Sequence, residues 1–280
     1  MTNFELYDKV CTRTSRDTTQ QYSTSFSLGI RALNKNIREA IYGIYGFVRF
    51  ADEIVDTFHD HDQERLLAEF REQTYEAIDR GISLNPILQS FQRTVNYYSI
   101  DRSLIDTFLR SMQMDLHQSV HDQASYEEYI LGSAEVVGLM CLKVFCNGEE
   151  KTYDALKPSA MSLGAAFQKV NFLRDLRADH KDLGRTYFPG IEMSEFDTDT
   201  KSLIEEDIEK DFRHAFEGIQ KLPKASRFGV YLAYIYYRKL FQKIKRAAPE
   251  RIMHERIRVP NNRKIGLFVN SYVRHSFNML

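Results

Sequence analysis

Ile37, Ile41, Tyr45 and Val48 fall at the three- and four-residue steps of a buried helix face, and Asp52 and Asp56 continue the same stripe. That period commits the segment to helix and turns the stripe toward the interior. The two carboxylates therefore point inward rather than to bulk solvent. Uncompensated buried carboxylates cost several kcal/mol each, so they need cations, arginines or water. A second segment repeats the arrangement. Gly164, Gln168, Asn171, Asp175 and Asp179 lie on one line at steps of four and three. Around them Met161, Leu163, Ala166, Phe167, Val170, Phe172, Leu173 and Leu176 spread apolar surface over the whole circumference.

Period-3.6 patterning dominates the rest of the chain and strand signals are nearly absent. The spacing predicts helices over 35–58, 62–80, 86–98, 102–121, 125–147, 153–180, 200–220, 223–247 and 261–277. Breaks fall at Gly81–Pro86, at Asn147–Gly148 and in a loop from Gly184 to Thr200. No Gly/Ser-rich or Pro-rich linker appears among the 6 prolines and 13 glycines, so 1–280 reads as one all-α domain. The stretch His59-Asp60-His61-Asp62 reads as a polar loop with an N-cap for the following helix.

Charge and cysteine usage narrow the function classes. With 38 basic and 39 acidic residues the net charge is −1, which gives a nucleic-acid partner no support. The three cysteines (Cys11, Cys141, Cys146) form no CxxC pair, fit a reducing compartment and read as core filler. The N-terminal MTNFELYDKV is not a signal peptide, and the longest apolar run, Val136 to Phe145, is interrupted by Lys143 and too short to span a bilayer. The expectation is a cytoplasmic protein. Peripheral membrane contact is a second reading, because the segment from Arg238 to Lys264 is rich in Lys and Arg against only Glu250 and Glu255. The plainer reading of most of those residues is a solvated basic helix and loop, and Arg258 and Lys264 are also candidates for anchoring a diphosphate. The oligomeric state is not legible.

The two DxxxD pairs carry the sharpest chemistry. A lone pair at i,i+4 is usually a solvated helix face. Two pairs on inward stripes, with Arg49 and Arg174 nearby, point elsewhere. Mg²⁺ takes one or two carboxylates, keeps waters and bridges to phosphate oxygens, while arginine suits bidentate phosphate recognition. The combination fits ionisation of a diphosphate ester, whose leaving-group charge must be stabilised. His117 and His121 are spaced as a zinc pair, but with no third ligand in register the solvated-face reading is better. The 16 Tyr and 19 Phe are mostly core; Phe26, Tyr45, Phe50, Tyr129, Phe172 and Tyr187 recur beside the polar stripes, where rings could stabilise a cation or line a hydrocarbon pocket.

These residues also form a recognisable set. Arg49-Phe50-Ala51-Asp52-Glu53-Ile54-Val55-Asp56 resembles the first aspartate motif (RxxDDxxD) of the squalene/phytoene synthase family. Gln168 to Asp179 resembles the second (QxxNxxRDxxxD). Gly184-Arg185-Thr186-Tyr187-Phe188-Pro189 is similar to the GRxYLP turn, Ser23-Thr24-Ser25-Phe26 to the SxSF element and Met114-Asp115 to the MD pair. Tyr129, Ala134 and Gly138 echo the YxYxxAGxVG helix, and Arg256-Ile257-Arg258-Val259-Pro260 with Lys264 is similar to the basic C-terminal segment of bacterial phytoene synthases. The resemblance runs in order over about residues 20 to 275 and is nearest to the bacterial phytoene synthases.

The resemblance implies an all-α class I isoprenoid synthase fold with a central cavity between the two motifs. It implies head-to-head condensation of two geranylgeranyl diphosphates to phytoene through a cyclopropylcarbinyl diphosphate, as in carotenoid biosynthesis. The alternatives are dehydrosqualene or squalene synthesis from farnesyl diphosphate, with NADPH needed for squalene, and a non-catalytic assembly protein on the same fold. By the same resemblance Asp52, Asp56, Asp175 and Asp179, with Asn171, would hold Mg²⁺ or Mn²⁺ in its place. Ser23, Ser25, Arg49, Arg174, Arg258 and Lys264 would contact diphosphate, and Gln168, Asn171, Tyr129 and Tyr187 would shape the site. Phe26 and Ile30 share one helix face, and Ile30, smaller than a ring, leaves room for a C20 chain. Two positions depart from the pattern: Glu53 replaces the usual Asp, and Glu135 stands where the tyrosine helix has Gly.

Overall fold

A computed structural model describes residues 1–182, 184–190 and 196–258, without the side chains of 178–182. The helix predicted over 261–277, with Val259, Pro260 and Lys264, lies outside the described residues.

The described chain is built from helices: α1 (Asn3–Tyr22), α2 (Thr24–Ala32), α3 (Lys35–Asp56), α4 (Gln63–Arg80), α5 (Pro86–Tyr98), α6 (Arg102–His117), α7 (Gln123–Ile130), α8 (Val136–Cys146), α9 (Glu150–Asp182), α10 (Thr198–Lys221), α11 (Lys224–Lys245) and α12 (Pro249–His254). The only strand-like pairing among the described residues is a parallel bridge between Val120 and Thr186. Local signals set the boundaries. Gly81 closes α4 at φ +68°, Asn85 caps α5 with Pro86 in its first turn, and Asn147 ends α8 at φ 49°. Asp62 caps α4 as expected, its carboxylate accepting from the Arg65 amide at 3.0 Å.

Three differences from the predicted elements have physical causes. Helix α1 was not foreseen because its buried positions are Cys11, Ser15 and Thr19, a stripe of small and polar residues that apolar periodicity does not register. Its start is fixed by a capping box between Thr2 and Glu5. Helix α6 ends at His117 rather than 121, because the chain turns extended to pair Val120 with Thr186. The helix predicted over 125–147 is interrupted by a π-helical turn, Leu131–Glu135, between α7 and α8. Gly164 makes this turn possible from outside: a Cβ there would stand 2.6 Å from the Ala134 carbonyl oxygen.

Two apolar clusters form. One centres on Phe47 of α3, stacked on Phe91 at 3.9 Å and flanked by Phe70 and Phe108. The other is built on α7 to α12 around Phe212, Tyr231 and Phe241. Members of both line a cavity of about 300 Å³, including Ile41 and Ile44 from the first, and Leu142, Leu156 and Ile219 from the second. The stretch Gln123–Cys146 is apolar enough to cross a membrane by composition, but most of it is buried in the fold and it serves as core. The cysteines are free, with Cys11 and Cys146 buried and Cys141 half-buried in the cavity wall.

Gly164→Ala should force the π-helical turn away from α9 and lower stability by about 1–3 kcal/mol, measured by urea denaturation. A wild-type midpoint would show that the backbone approach is not constraining.

Candidate active site

Helices α3 and α9 enter the cavity in the same register. Val48 and Asn171, each four residues before an aspartate of its motif, both line the cavity wall. Asp52 and Asp175 each stand one turn further on, and they share one end of the cavity, since the Tyr45 phenol feels both the Asp52 charge and Tyr237, which in turn feels Asp175. The α3 helix also ends there, so its negative dipole end favours cations at this mouth.

Guanidinium groups hold the carboxylates. Arg49 donates to both Asp52 and Glu53 and lies over the Tyr22 ring at 4.3 Å. Its Nε is buried with no hydrogen-bond partner among the described residues, a donor still to be satisfied. Asp175 is gripped by its neighbour Arg174, with Nε to Oδ1 at 3.0 Å, and by Arg256, with Nε to Oδ1 at 2.6 Å. Asp56 accepts from Arg185 at 2.7 Å. Protein packed around Asp52 and the nearby Asp56 charge raise its pKa above the usual carboxylate range, against the pull of Arg49 and Arg185. A third of the Asp52 side chain still reaches solvent, as does a third of Asp56.

Behind Asp56 lies a buried polar group. Arg185 also donates to the carbonyls of Val55 (3.2 Å) and Asp115 (3.1 Å). The Asp115 carboxylate accepts from the Tyr129 hydroxyl at 2.7 Å and the Tyr187 hydroxyl at 3.1 Å. Burial pushes the Asp115 pKa up to about 7, while Arg185 and the two phenols pull it back. Burial alone would lower the Arg185 pKa, but Asp115, Tyr187 and Asp56 raise it, so the guanidinium keeps its charge.

Most of the residues singled out in the sequence converge here. Phe26, Ile30, Gln168 and Asn171 line the cavity, and Tyr237 donates to Asn171 Oδ1 at 3.3 Å. Phe26, Tyr45, Phe167 and Tyr237 form a ring cluster in its wall, with Phe26 5.9 Å from both Tyr45 and Tyr237 and Phe167 3.9 Å from Tyr237. Ser23 caps α2, its hydroxyl accepting from the Phe26 amide at 3.2 Å, and Ser25 is half-buried on that helix. Arg258 is exposed, its carbonyl accepting from Lys243. The side chain of Asp179 lies outside the described residues, as does Lys264. Glu53, the departure in the first motif, pairs with Arg49. Glu135 is not in the cavity wall; burial raises its pKa, and Asp211 and Lys169 act on it from the α9–α10 side.

His117 and His121 do not form a pair. His117 is exposed beside Glu64 at 3.6 Å, whereas His121 has left the helix and is buried against Tyr129 and Tyr187. Sequence reasoning missed Arg185, Asp115, Arg256 and Tyr237 as site groups. The first three sit inside strings already singled out, but nothing in their spacing says that Arg185 and Arg256 touch motif aspartates or that Asp115 backs Arg185.

The donor set suits a hydrated divalent cation shared with a phosphorylated ligand. Among the described residues no three or more His, Cys, Asp or Glu side chains enclose a metal site. Mg²⁺ on a diphosphate needs no such cage, since it takes one or two carboxylates and fills its remaining positions with water and phosphate oxygens. The Asp52 and Asp56 carboxylates, one turn apart on α3 and each about a third exposed, meet that description.

Comparison with known proteins agrees. The sequence model of the family described as "Squalene/phytoene synthase" matches residues 19–263. The chain is 27% identical over 260 residues to "Phytoene synthase 1, chloroplastic" of Solanum lycopersicum, covering 80% of this chain and 59% of that protein. It is 30% identical over 170 residues to "Presqualene diphosphate synthase" of Rhodopseudomonas palustris, covering 59% and 58%. The chain thus spans about three fifths of these curated relatives. With a plant chloroplast protein among them, the matches do not single out a bacterial branch. A crystal structure of a dehydrosqualene synthase with ligand superposes with TM-score 0.81 at 19% identity, over 98% of this chain and 99% of that one. This likeness establishes the shared all-α fold.

The raised Asp115 pKa has a stability consequence. The folded state holds this proton up to about pH 7, and the unfolded state releases it near pH 4. Folding therefore binds a proton in that window, and stability falls as pH rises through it. Denaturant titrations of the wild type against Asp115→Asn should show the wild type losing ground from about pH 4 to 7; a flat difference would mean the carboxyl is ionised throughout.

Proposed function

The chain belongs to the squalene/phytoene synthase family, and from that premise we propose that it joins two allylic prenyl diphosphates head to head. The observation that carries this reading is the shared register of α3 and α9. Each puts an aspartate one turn beyond a residue of the same apolar cavity, so charged heads and hydrocarbon tails have separate places.

In this reading Asp52, Asp56, Asp175 and Asp179, with Asn171 Oδ1, hold the divalent cation, which offsets leaving-group charge when bound. Arg49, Arg174 and Arg256 turn from their carboxylates to the diphosphate oxygens, and the unpartnered Arg49 Nε gains an acceptor. By the family resemblance Arg258 and Lys264 would add further positive charge for the diphosphate. The ring cluster of Phe26, Tyr45, Phe167 and Tyr237 faces the allylic cation, stabilises it by the ring quadrupoles and keeps water out. The burial that pushes the Tyr45 phenol up to about 12 keeps that ring neutral. Once the first diphosphate has left, the second substrate's double bond attacks the cation and a proton is lost as the ring of a cyclopropylcarbinyl diphosphate closes; that intermediate loses its own diphosphate, rearranges, and ends by losing a second proton or accepting hydride from NADPH. Residues 1–280 act as one domain in this scheme.

Two chain lengths fit this reaction. A farnesyl (C15) substrate is supported by the relative named presqualene diphosphate synthase. A geranylgeranyl (C20) substrate is supported by the relatives named phytoene synthase and by the modest bulk of Ile30 in the wall, beside small residues such as Gly138 and Gly164. Purified protein with Mg²⁺ and each diphosphate, with and without NADPH, should give a hydrocarbon of twice the substrate's carbon number from at least one of them. Release of allylic alcohol alone from both would end the condensation reading. Ile30→Phe should reduce C20 turnover more than C15 turnover, and equal loss on both would remove Ile30 as a determinant of length. Asp175→Asn should cost about a hundredfold or more in turnover with the fold intact. Full activity in that variant would exclude the aspartate from the reaction and favour an assembly role.

A further inference from the structure

We propose that Asp115 is a positioning residue that sets the orientation and effective charge of Asp56, and so the affinity of the first aspartate motif for its divalent cation. The inference rests on the reading that Asp56 is a ligand.

Asp115 is the meeting point of three chain segments. It lies at the end of α6, with only 3% of its side chain exposed. It receives Tyr129 from α7 and Tyr187 from the segment after α9. Its carboxylate stands 3.7 Å from the Arg185 guanidinium, and its own carbonyl accepts from that same group. Arg185 is thus fixed by both the backbone and the side chain of one residue, and its remaining contacts are to α3, the 3.2 Å bond to the Val55 carbonyl and the 2.7 Å bond to Asp56. Tyr187 and Phe172 stack at 4.1 Å, and His121 lies against Tyr187 at 5.4 Å, so the donors to Asp115 are themselves held in place.

The charges give the arrangement its purpose. An arginine facing Asp56 alone would neutralise it and compete with a cation. With Asp115 on its other side, the guanidinium is divided between the Asp115 carboxyl and carbonyl oxygens and the Asp56 carboxylate, so only part of it is spent on Asp56. Asp56 is then oriented by a strong hydrogen bond while keeping affinity for a cation. Partners behind a metal-binding carboxylate influence affinity by about 10- to 100-fold.

The test is Mn²⁺ binding to the full chain, followed by the electron paramagnetic resonance signal of free Mn²⁺, for wild type, Asp56→Asn, Asp115→Asn and Tyr129→Phe. Asp115→Asn keeps the shape of the side chain and replaces one accepting oxygen by an amide group that only donates. It should weaken Mn²⁺ binding by about tenfold while the circular dichroism spectrum stays that of the wild type, and turnover lost at low Mg²⁺ should return at high Mg²⁺. A folded Asp115→Asn with wild-type Mn²⁺ affinity overturns the inference, as does lost turnover that added Mg²⁺ does not restore. Should Asp115→Asn not fold, Tyr129→Phe, which removes a single hydrogen bond to the carboxylate, carries the test: a measurably weaker affinity supports the inference and an unchanged one overturns it. Asp56→Asn separates the two levels, because wild-type affinity in that variant removes Asp56 as a ligand and the inference with it.

Discussion

Repulsion between carboxylates gathered at one end of an apolar cavity is the constraint on which the arrangement depends. Two aspartates on one helix face and another opposite them would be costly without compensation. The chain answers with a guanidinium beside each described motif aspartate: Arg49 for Asp52, Arg185 for Asp56, and Arg174 with Arg256 for Asp175. These pairs balance charge in the absence of ligand. On the function proposed above, the same guanidinium groups would receive the diphosphate.

The helical class and the inward aspartates were legible because both follow from apolar spacing, which fixes which face of a helix is buried. The same logic failed where burial is not apolar. Helix α1 buries Cys11, Ser15 and Thr19, and Ser15 packs against Gly46 of α3, a contact that rests on small size rather than hydrophobicity. It failed again at His121, because the end of α6 is decided by pairing with residues more than sixty positions later.

Site residues divided along the same line. Val48, Asn171, Gln168 and Phe26 could be placed from helix register, which is local. Arg185 reaches Asp56 from 129 positions away and Arg256 reaches Asp175 from 81. Such contacts are set by how loops close over the bundle, which spacing does not encode. The family resemblance pointed to Arg258 and Lys264, yet it is Arg256 that contacts Asp175, two residues along an extended segment from Arg258.

The mouth and the tail end of the cavity are under different physical control. At the mouth, each charged group is tied to a partner by directional bonds, and moving one atom leaves a buried charge exposed or unpaired. In the tail region the wall is side chains such as Ile30, Leu156 and Ile219, with glycines where helices approach, and its shape depends on volume alone. Substitutions among those aliphatic side chains change depth without touching the charged groups at the mouth. Reaction class is thus written in polar residues that constrain one another. Chain length is written in apolar residues that do not, and so it can change while every motif at the mouth stays the same.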